Sequence, residues 1–258
     1  MTAIKKQLSS HWTAKQTLNK HVYTLIDMVK VVASHSSIKR QIEENIKNPF
    51  DALNEYIWNA IDSGAKNIDI KTKITQGVYI KELEISDDGI GIDYEDLQKD
   101  LFGKFNTSIK ANIKDENKSI PHGYRGFGRF AFIKFAEKVY WDTIYTSKSN
   151  KKGYHYQIEI SKDSLDDYEP TKPEETINTN GTKVGFYFGS QDRMVALSSK
   201  DEKNPLERIV YNISLEFCWV IELLNLKITI NGKDIDYTFL IEKKEDFKEI
   251  IIDDEKFE

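Results

Sequence analysis

A single cysteine among 258 residues leaves this chain no intrachain disulfide, which fits a reducing compartment. That residue, Cys218, lies in the apolar run Phe217-Cys218-Trp219-Val220-Ile221 and is expected to be a packed core thiol. Metal-ligand spacing is missing as well. His11, His21, His35, His122 and His155 stand apart with no cysteine beside them, so no zinc site is expected. No G-x-x-x-x-G-K-[ST] string occurs, which excludes a P-loop nucleotidase. No segment approaches about 18 uninterrupted apolar residues, and the opening M-T-A-I-K-K-Q-L-S-S has no apolar signal region. A cytoplasmic protein without a membrane partner is the expectation. A basic excess is lacking too: 37 Lys and Arg stand against 42 Asp and Glu, a net charge of −5. Composition therefore indicates neither a nucleic-acid partner nor a specific protein partner. No internal repeat is present.

What remains is a globular balance, 39% hydrophobic and 31% charged, in a chain long enough to bury a full core. Residues 1–47 are polar and mostly helical in pattern, with an apolar patch over 22–32 and no recognisable chemistry. A well-marked helix follows, with Asn48 as N-cap, Pro49 at the first helical position and Gly64 after the end. Strands are expected over 68–74 and up to 86–87, joined by a turn at Gln76-Gly77. A short helix capped by Asp93 carries Leu97 and Leu101 one turn apart. Residues 103–122 are polar and without periodicity, and a loop of that length in a compact domain is functional or disordered. A helical pattern returns over 126–138. Strands are expected near 138–146, 154–160 and 183–189, with an insertion at 161–180. A helix over 205–224 and a hairpin turning at Asn231-Gly232 close the chain. The order implies an α+β two-layer sandwich, a mixed and mostly antiparallel sheet with helices on one face. Three parts are expected: an N-terminal helical extension 1–47, a central domain 48–190, and a C-terminal helix and hairpin 191–258 that could open a second domain.

Four short stretches concentrate the chemistry: E-Y-I-W-N-A-I-D at 55–62, D-D-G-I-G at 87–91, G-Y-R-G-F-G at 123–128 and G-T at 181–182. On a helical wheel Leu53, Tyr56, Ile57, Ala60 and Ile61 form an apolar stripe. Glu55, Asn59 and Asp62 share the opposite face, and spacing alone makes that an ordinary solvated face. In the second strand Leu83, Ile85 and Asp87 point one way, so Asp87 sits where the core face ends. A carboxylate there needs a donor to offset the cost of burial. Asp88 alternates away and reads as a turn residue. Gly89 and Gly91 allow a tight turn and close approach of the backbone to a ligand. Gly123, Gly126 and Gly128 flank a helix start, where bare N–H groups and the helix dipole suit a phosphate.

In their order and intervals these stretches resemble the N, G1, G2 and G3 boxes of the GHKL ATPases, over Pro49 to Phe188. That superfamily includes gyrase B subunits, heat-shock-90-type chaperones, sensor histidine kinases and MutL-like repair proteins. The run G-Y-R-G-F-G-R-F-A-F is especially similar to the chaperone ATPases and the MORC-type proteins, and the chain as a whole resembles the chaperone, MORC and MutL branch. The resemblance implies the Bergerat fold, ATP and Mg²⁺ as ligands, and slow ATP hydrolysis. It implies that Asn59 offers an amide oxygen to Mg²⁺ and that Glu55 orients and deprotonates the attacking water. Asp62 matches a supporting position near the nucleotide, and Asp87 the acceptor of the adenine amine. Gly123, Tyr124, Arg125, Gly126, Phe127 and Gly128 match the phosphate loop, and residues 103–122 the ATP lid. Within the lid, Thr107, Ser108 and Lys110 resemble the Thr-Ser-x-Lys signature of the MutL and MORC branches. Lys110 is open to two readings, a phosphate contact in the closed lid or a solvated side chain. Thr182 matches the Thr that bonds near adenine.

Relatives couple lid closure to homodimerisation through N-terminal segments, a role open to residues 1–47 beside simple packing on their own domain. No residue after Phe188 maps onto the Lys or Arg that relatives place on the γ-phosphate from a following domain. Two alternatives stand beside the ATPase: an ATP-responsive binding module with little turnover, and a kinase-like phosphotransferase. The context N-A-I-D-S-G-A favours hydrolysis over transfer.

Overall fold

The computed structural model describes residues 34–77, 79–98, 128–199, 203–241, 250–252 and 255–257. Helix α1, His35–Asn45, begins at Ser34, whose hydroxyl accepts the Ser37 N–H. Helix α2, Pro49–Asp62, starts where sequence places it: Asn48 Oδ1 accepts the N–H groups of Phe50 and Asp51 at 2.8 and 3.0 Å. The first two strands, β1 (Asn67–Thr75) and β2 (Tyr79–Asp87), pair antiparallel. Helix α3, Tyr94–Gln98, is capped by Asp93 Oδ1, which accepts the Glu95 N–H at 2.9 Å.

Strands β3 (Lys138–Thr146), β4 (Gly153–Ser161), β5 (Glu174–Thr176) and β6 (Gly181–Tyr187) follow, then helices α4 (Gln191–Val195) and α5 (Glu207–Leu224). Strands β7 (Lys227–Ile230) and β8 (Lys233–Asp234) form the hairpin expected at Asn231-Gly232, and both turn residues have left-handed φ, 48° and 76°. A separate two-stranded sheet joins β9 (Ile250–Ile252) to β10 (Glu255–Phe257).

The main sheet has eight strands in the order β5-β4-β3-β6-β2-β1-β7-β8. Among its described pairings, β1 with β7 is parallel and the rest are antiparallel. Helices α2 and α5 and a 3-10 turn over Gly128–Lys134 pack on it, which makes a two-layer α+β sandwich. Between the layers the Tyr56 ring meets Phe186 edge-on at 4.8 Å, and Phe135 lies 5.0 Å from Phe186. Cys218 is buried, and among the described residues no helix is long and apolar enough to cross a membrane.

Two sequence expectations change. The helix expected over 126–138 is a 3-10 turn over Gly128–Lys134, followed at once by β3. Phe130, Ala131 and Phe132 are consecutive and all buried, as are Phe135 and Ala136, so burial here does not follow the spacing of three to four residues of an amphipathic α-helix. The segment 191–258, set apart by sequence, also contributes to the central layers. Helix α5 packs on α2, and β7 lies beside β1 with Ile228 and Ile230 opposite Ile68 and Ile70. The alternation of Lys-Ile-Thr-Ile announces a strand but says nothing about its neighbour.

Candidate functional site

Helix α2 carries its polar face into the protein. Glu55, Asn59 and Asp62 are each half-buried, where spacing alone gives a solvated face. The start of the 3-10 turn lies against them. A Cβ added to Gly128 would stand 2.7 Å from Glu55 Oε2 and 3.3 Å from Asn59 Nδ2, so the backbone of the turn lies directly against both side chains.

A second cluster forms at the end of β2. Asp87 Oδ1 accepts the Gly89 N–H at 2.8 Å, and the Ser63 hydroxyl lies 3.4 Å away. Burial pushes the Asp87 carboxyl up to about 6, partly offset by Gly89, Ser63 and the Thr182 backbone. Its neighbour Asp88 is exposed and accepts the N–H groups of Lys66 and Asn67 at 2.7 and 2.9 Å, a turn role as expected. Gly91 closes the turn at φ 76°, and a Cβ there would fall 2.0 Å from the Ile144 carbonyl oxygen. Gly89 packs on Ser63, and Gly181 on the Asp87 backbone. Thr182 pairs with Asp87 across β6 and β2 and is buried.

Sequence reasoning missed two residues of this cluster. Ser63, the residue after α2, connects that helix to Asp87. Thr143 is fully buried; its hydroxyl lies 3.1 Å from that of Thr182 and accepts the Ile92 N–H at 3.0 Å. It thereby ties the turn after β2 to β6. The signal for Thr143 was present: it is the polar member of the inward set Val139, Trp141, Thr143 and Tyr145 on β3.

The two clusters are linked by α2 itself. Glu55 and Ser63 are separated along the helix axis by roughly 12 Å at about 1.5 Å per residue. The described part of the site is thus an elongated one, with a raised carboxylate in a glycine turn at one end and a partly buried Glu/Asn/Asp face at the other. Thr107, Ser108, Lys110, Gly123, Tyr124, Arg125, Gly126 and Phe127 lie outside the described residues. Among the described residues no group of three or more His, Cys, Asp or Glu gathers to hold a metal ion. His155 instead pairs with Asp142 at 2.8 Å.

The chain is similar to known proteins. The DNA mismatch repair protein MutL of Clostridium acetobutylicum is 24% identical over 219 residues, 82% of this chain and 32% of that protein. MutL of Syntrophomonas wolfei is 31% identical over 119 residues, 46% of this chain and 19% of that protein. The chain therefore spans about a third or less of the length of these relatives. The ATPase region of Saccharomyces cerevisiae topoisomerase II superposes with a TM-score of 0.48 at 22% identity, covering 72% of this chain and 48% of that one. Residues 47–184, more than half of the chain, match the histidine kinase-, DNA gyrase B- and HSP90-like ATPases, and the chain belongs to that family.

Proposed function

We propose that this chain binds ATP with Mg²⁺ and hydrolyses it slowly, and that the bound nucleotide drives a conformational or dimerisation switch. One observation carries the reading: a carboxylate, Asp87, is held partly buried in a glycine turn with its acidity weakened by desolvation. Such a group costs stability in the free protein and gains most from a donor that arrives with a ligand. The exocyclic amine of adenine is a donor of that kind. Thr182, Thr143 and Ser63 surround the same end and can fix the orientation of a base.

At the other end, Glu55 is the general base. Its carboxylate is half-buried beside Gly128, so it can hold a water in line with a terminal phosphate and take its proton. Asn59, one turn later, offers an amide oxygen to the cation, and Asp62 supports the same face. Mg²⁺, when bound, neutralises charge on the phosphate oxygens. Gly128, with Gly123 and Gly126 before it, supplies backbone N–H groups. In this reading the lid role falls to residues 103–122, with Thr107, Ser108 and Lys110 as its phosphate contacts, and contact with a second copy falls to residues 1–47.

Calorimetry of ATP with and without Mg²⁺, beside Asp87→Asn, tests this reading together with a turnover assay of Glu55→Ala. Nucleotide affinity untouched by Asp87→Asn sinks the assignment of the base end. Light scattering with a non-hydrolysable ATP analogue, on the intact chain and on one lacking residues 1–40, tests the switch. A monomer under every condition leaves nucleotide binding alone.

A further inference from the structure

Of the five residues in the apolar stripe of α2, Tyr56 alone carries a polar atom, and that atom is put to specific use. The side chain is 2% exposed. Its hydroxyl accepts the Phe132 N–H at 3.0 Å and donates to the Arg129 carbonyl at 3.1 Å. In a 3-10 helix a carbonyl pairs with the amide three residues on, and Arg129 and Phe132 are such a pair. The phenol therefore spans a rung of the turn Gly128–Lys134 and ties it to α2. The ring has little freedom to follow if the turn moves, because it stands edge-on to Phe186 at 4.8 Å and near Trp141 at 6.4 Å. Burial holds the phenol well above its ordinary range near 10, so it keeps its proton and stays a donor at any working pH.

Chain continuity gives this clasp its consequence. Tyr56 follows Glu55 directly, and Arg129 follows Gly128 directly. We propose that Tyr56 is a positioning residue: its hydroxyl sets the turn so that Gly128 rests against Glu55 and Asn59, assembling the phosphate end of the site before a ligand arrives. This rests on the ATP reading above and extends it to a residue that never touches the nucleotide. Phenylalanine at this place keeps the ring packing but removes both hydrogen bonds. The Arg129 carbonyl and the Phe132 amide then lose the phenol that ties them to α2, and with the tie gone Gly128 is expected to shift relative to Glu55. The base end of the site, built on Asp87, Thr143 and Thr182, has no bond to Tyr56 and is left as it was.

The test separates the two ends with two ligands, adenosine and a non-hydrolysable ATP analogue, on the wild type, Tyr56→Phe and Phe186→Leu. Phe186→Leu is the control, since it loosens packing on the same ring and leaves the phenol in place. For Tyr56→Phe the expected result is adenosine affinity within about two-fold of wild type, with analogue affinity and turnover each down about ten-fold, the worth of one to two net hydrogen bonds. Phe186→Leu is expected to lower the melting temperature while keeping the wild-type ratio of the two affinities. An unchanged ratio in Tyr56→Phe, or an equal change in both variants, reduces Tyr56 to a core residue and overturns the inference. A wild type that binds neither ligand removes the ATP reading itself, and this inference with it.

Discussion

Helices α2 and α5 lie side by side in one layer and break the rule of apolar inside, polar outside in opposite directions. Helix α2 takes polar groups inward: Glu55, Asn59 and Asp62 are half-buried, and Asn54 is 6% exposed with its Oδ1 lacking a hydrogen-bond partner. Helix α5 leaves apolar groups outward. Tyr211, Leu215, Trp219 and Leu223 recur every four residues and are 53, 55, 66 and 78% exposed, while Ile209, Ile213 and Phe217 fill the core. The two departures differ in cost. A buried polar group without full compensation costs about 1–3 kcal/mol, whereas an exposed Leu or Trp forgoes burial energy and strains nothing. Polar residues drawn inward thus call for partners, whereas the α5 ridge, whose Tyr211 stacks on Phe239, makes no such demand.

That contrast is broken most decisively by Glu55→Ala. It is expected to lower turnover about 10²–10⁴-fold with nucleotide affinity kept, as for a general base, whereas Asn59→Ala loses the Mg²⁺-dependent part of the affinity. Equal losses of binding in both variants, measured by calorimetry, would make the polar face of α2 merely structural. The next largest effect separates the two sides of α5. Phe217→Ala is expected to cost about 3–5 kcal/mol in denaturant unfolding, because it opens a cavity where Trp58 packs on the ring.

Asp87→Asn acts in two directions. Nucleotide affinity is expected to fall by about 1.5–3 kcal/mol with the charge-assisted bond. The free protein, in contrast, becomes more stable. Because the folded carboxyl lies near 6 and its ordinary value is 3.8, protonated Asp87 favours the fold below about pH 4, and this contribution is lost as pH rises through 6. The asparagine variant avoids that loss, so its advantage grows between about pH 4 and 6 and levels off at about 3 kcal/mol. Thermal melts across this range, without ligand, check the sign; a variant less stable at pH 7 contradicts it. In the wild type, nucleotide affinity is expected to fall as pH drops through 6, and in the variant to stay flat there. The smallest effect belongs to the outer face of α5. Trp219→Lys and Leu215→Lys are expected to shift stability by less than about 0.5 kcal/mol and to leave nucleotide affinity alone. A larger loss of stability would show that the ridge belongs to the folded core after all.

Much of the site was legible because its residues are tied together over short distances in sequence. The Asn48 cap, the wheel of α2, the alternation ending at Asp87 and the Asn231-Gly232 turn are each decided within a few residues by backbone geometry and the periods 3.6 and 2. Those local rules place Glu55, Asn59 and Asp62 on one face and Asp87 at the edge of the core. They do not say whether that face is wet. Gly128, more than sixty residues later, comes to lie against Glu55 and Asn59 on that face.

Other features had no local trace. Thr143 becomes the tie between β6 and the turn after β2 only when three strands that are separate in sequence meet. The apolar run after Gly128 has the composition of a helix, yet it forms a 3-10 segment clasped by Tyr56 from a distant helix. The sequence by itself determined the Asn48-capped helix, the alternation that ends at Asp87, the Asn231-Gly232 hairpin and the four motifs, since each depends on steric and hydrogen-bonding preferences of neighbouring residues. Tertiary structure alone decided that β7 would lie parallel to β1, that the polar face of α2 would be covered, and that Asp87 would be desolvated, because those depend on which distant surfaces exclude water from one another.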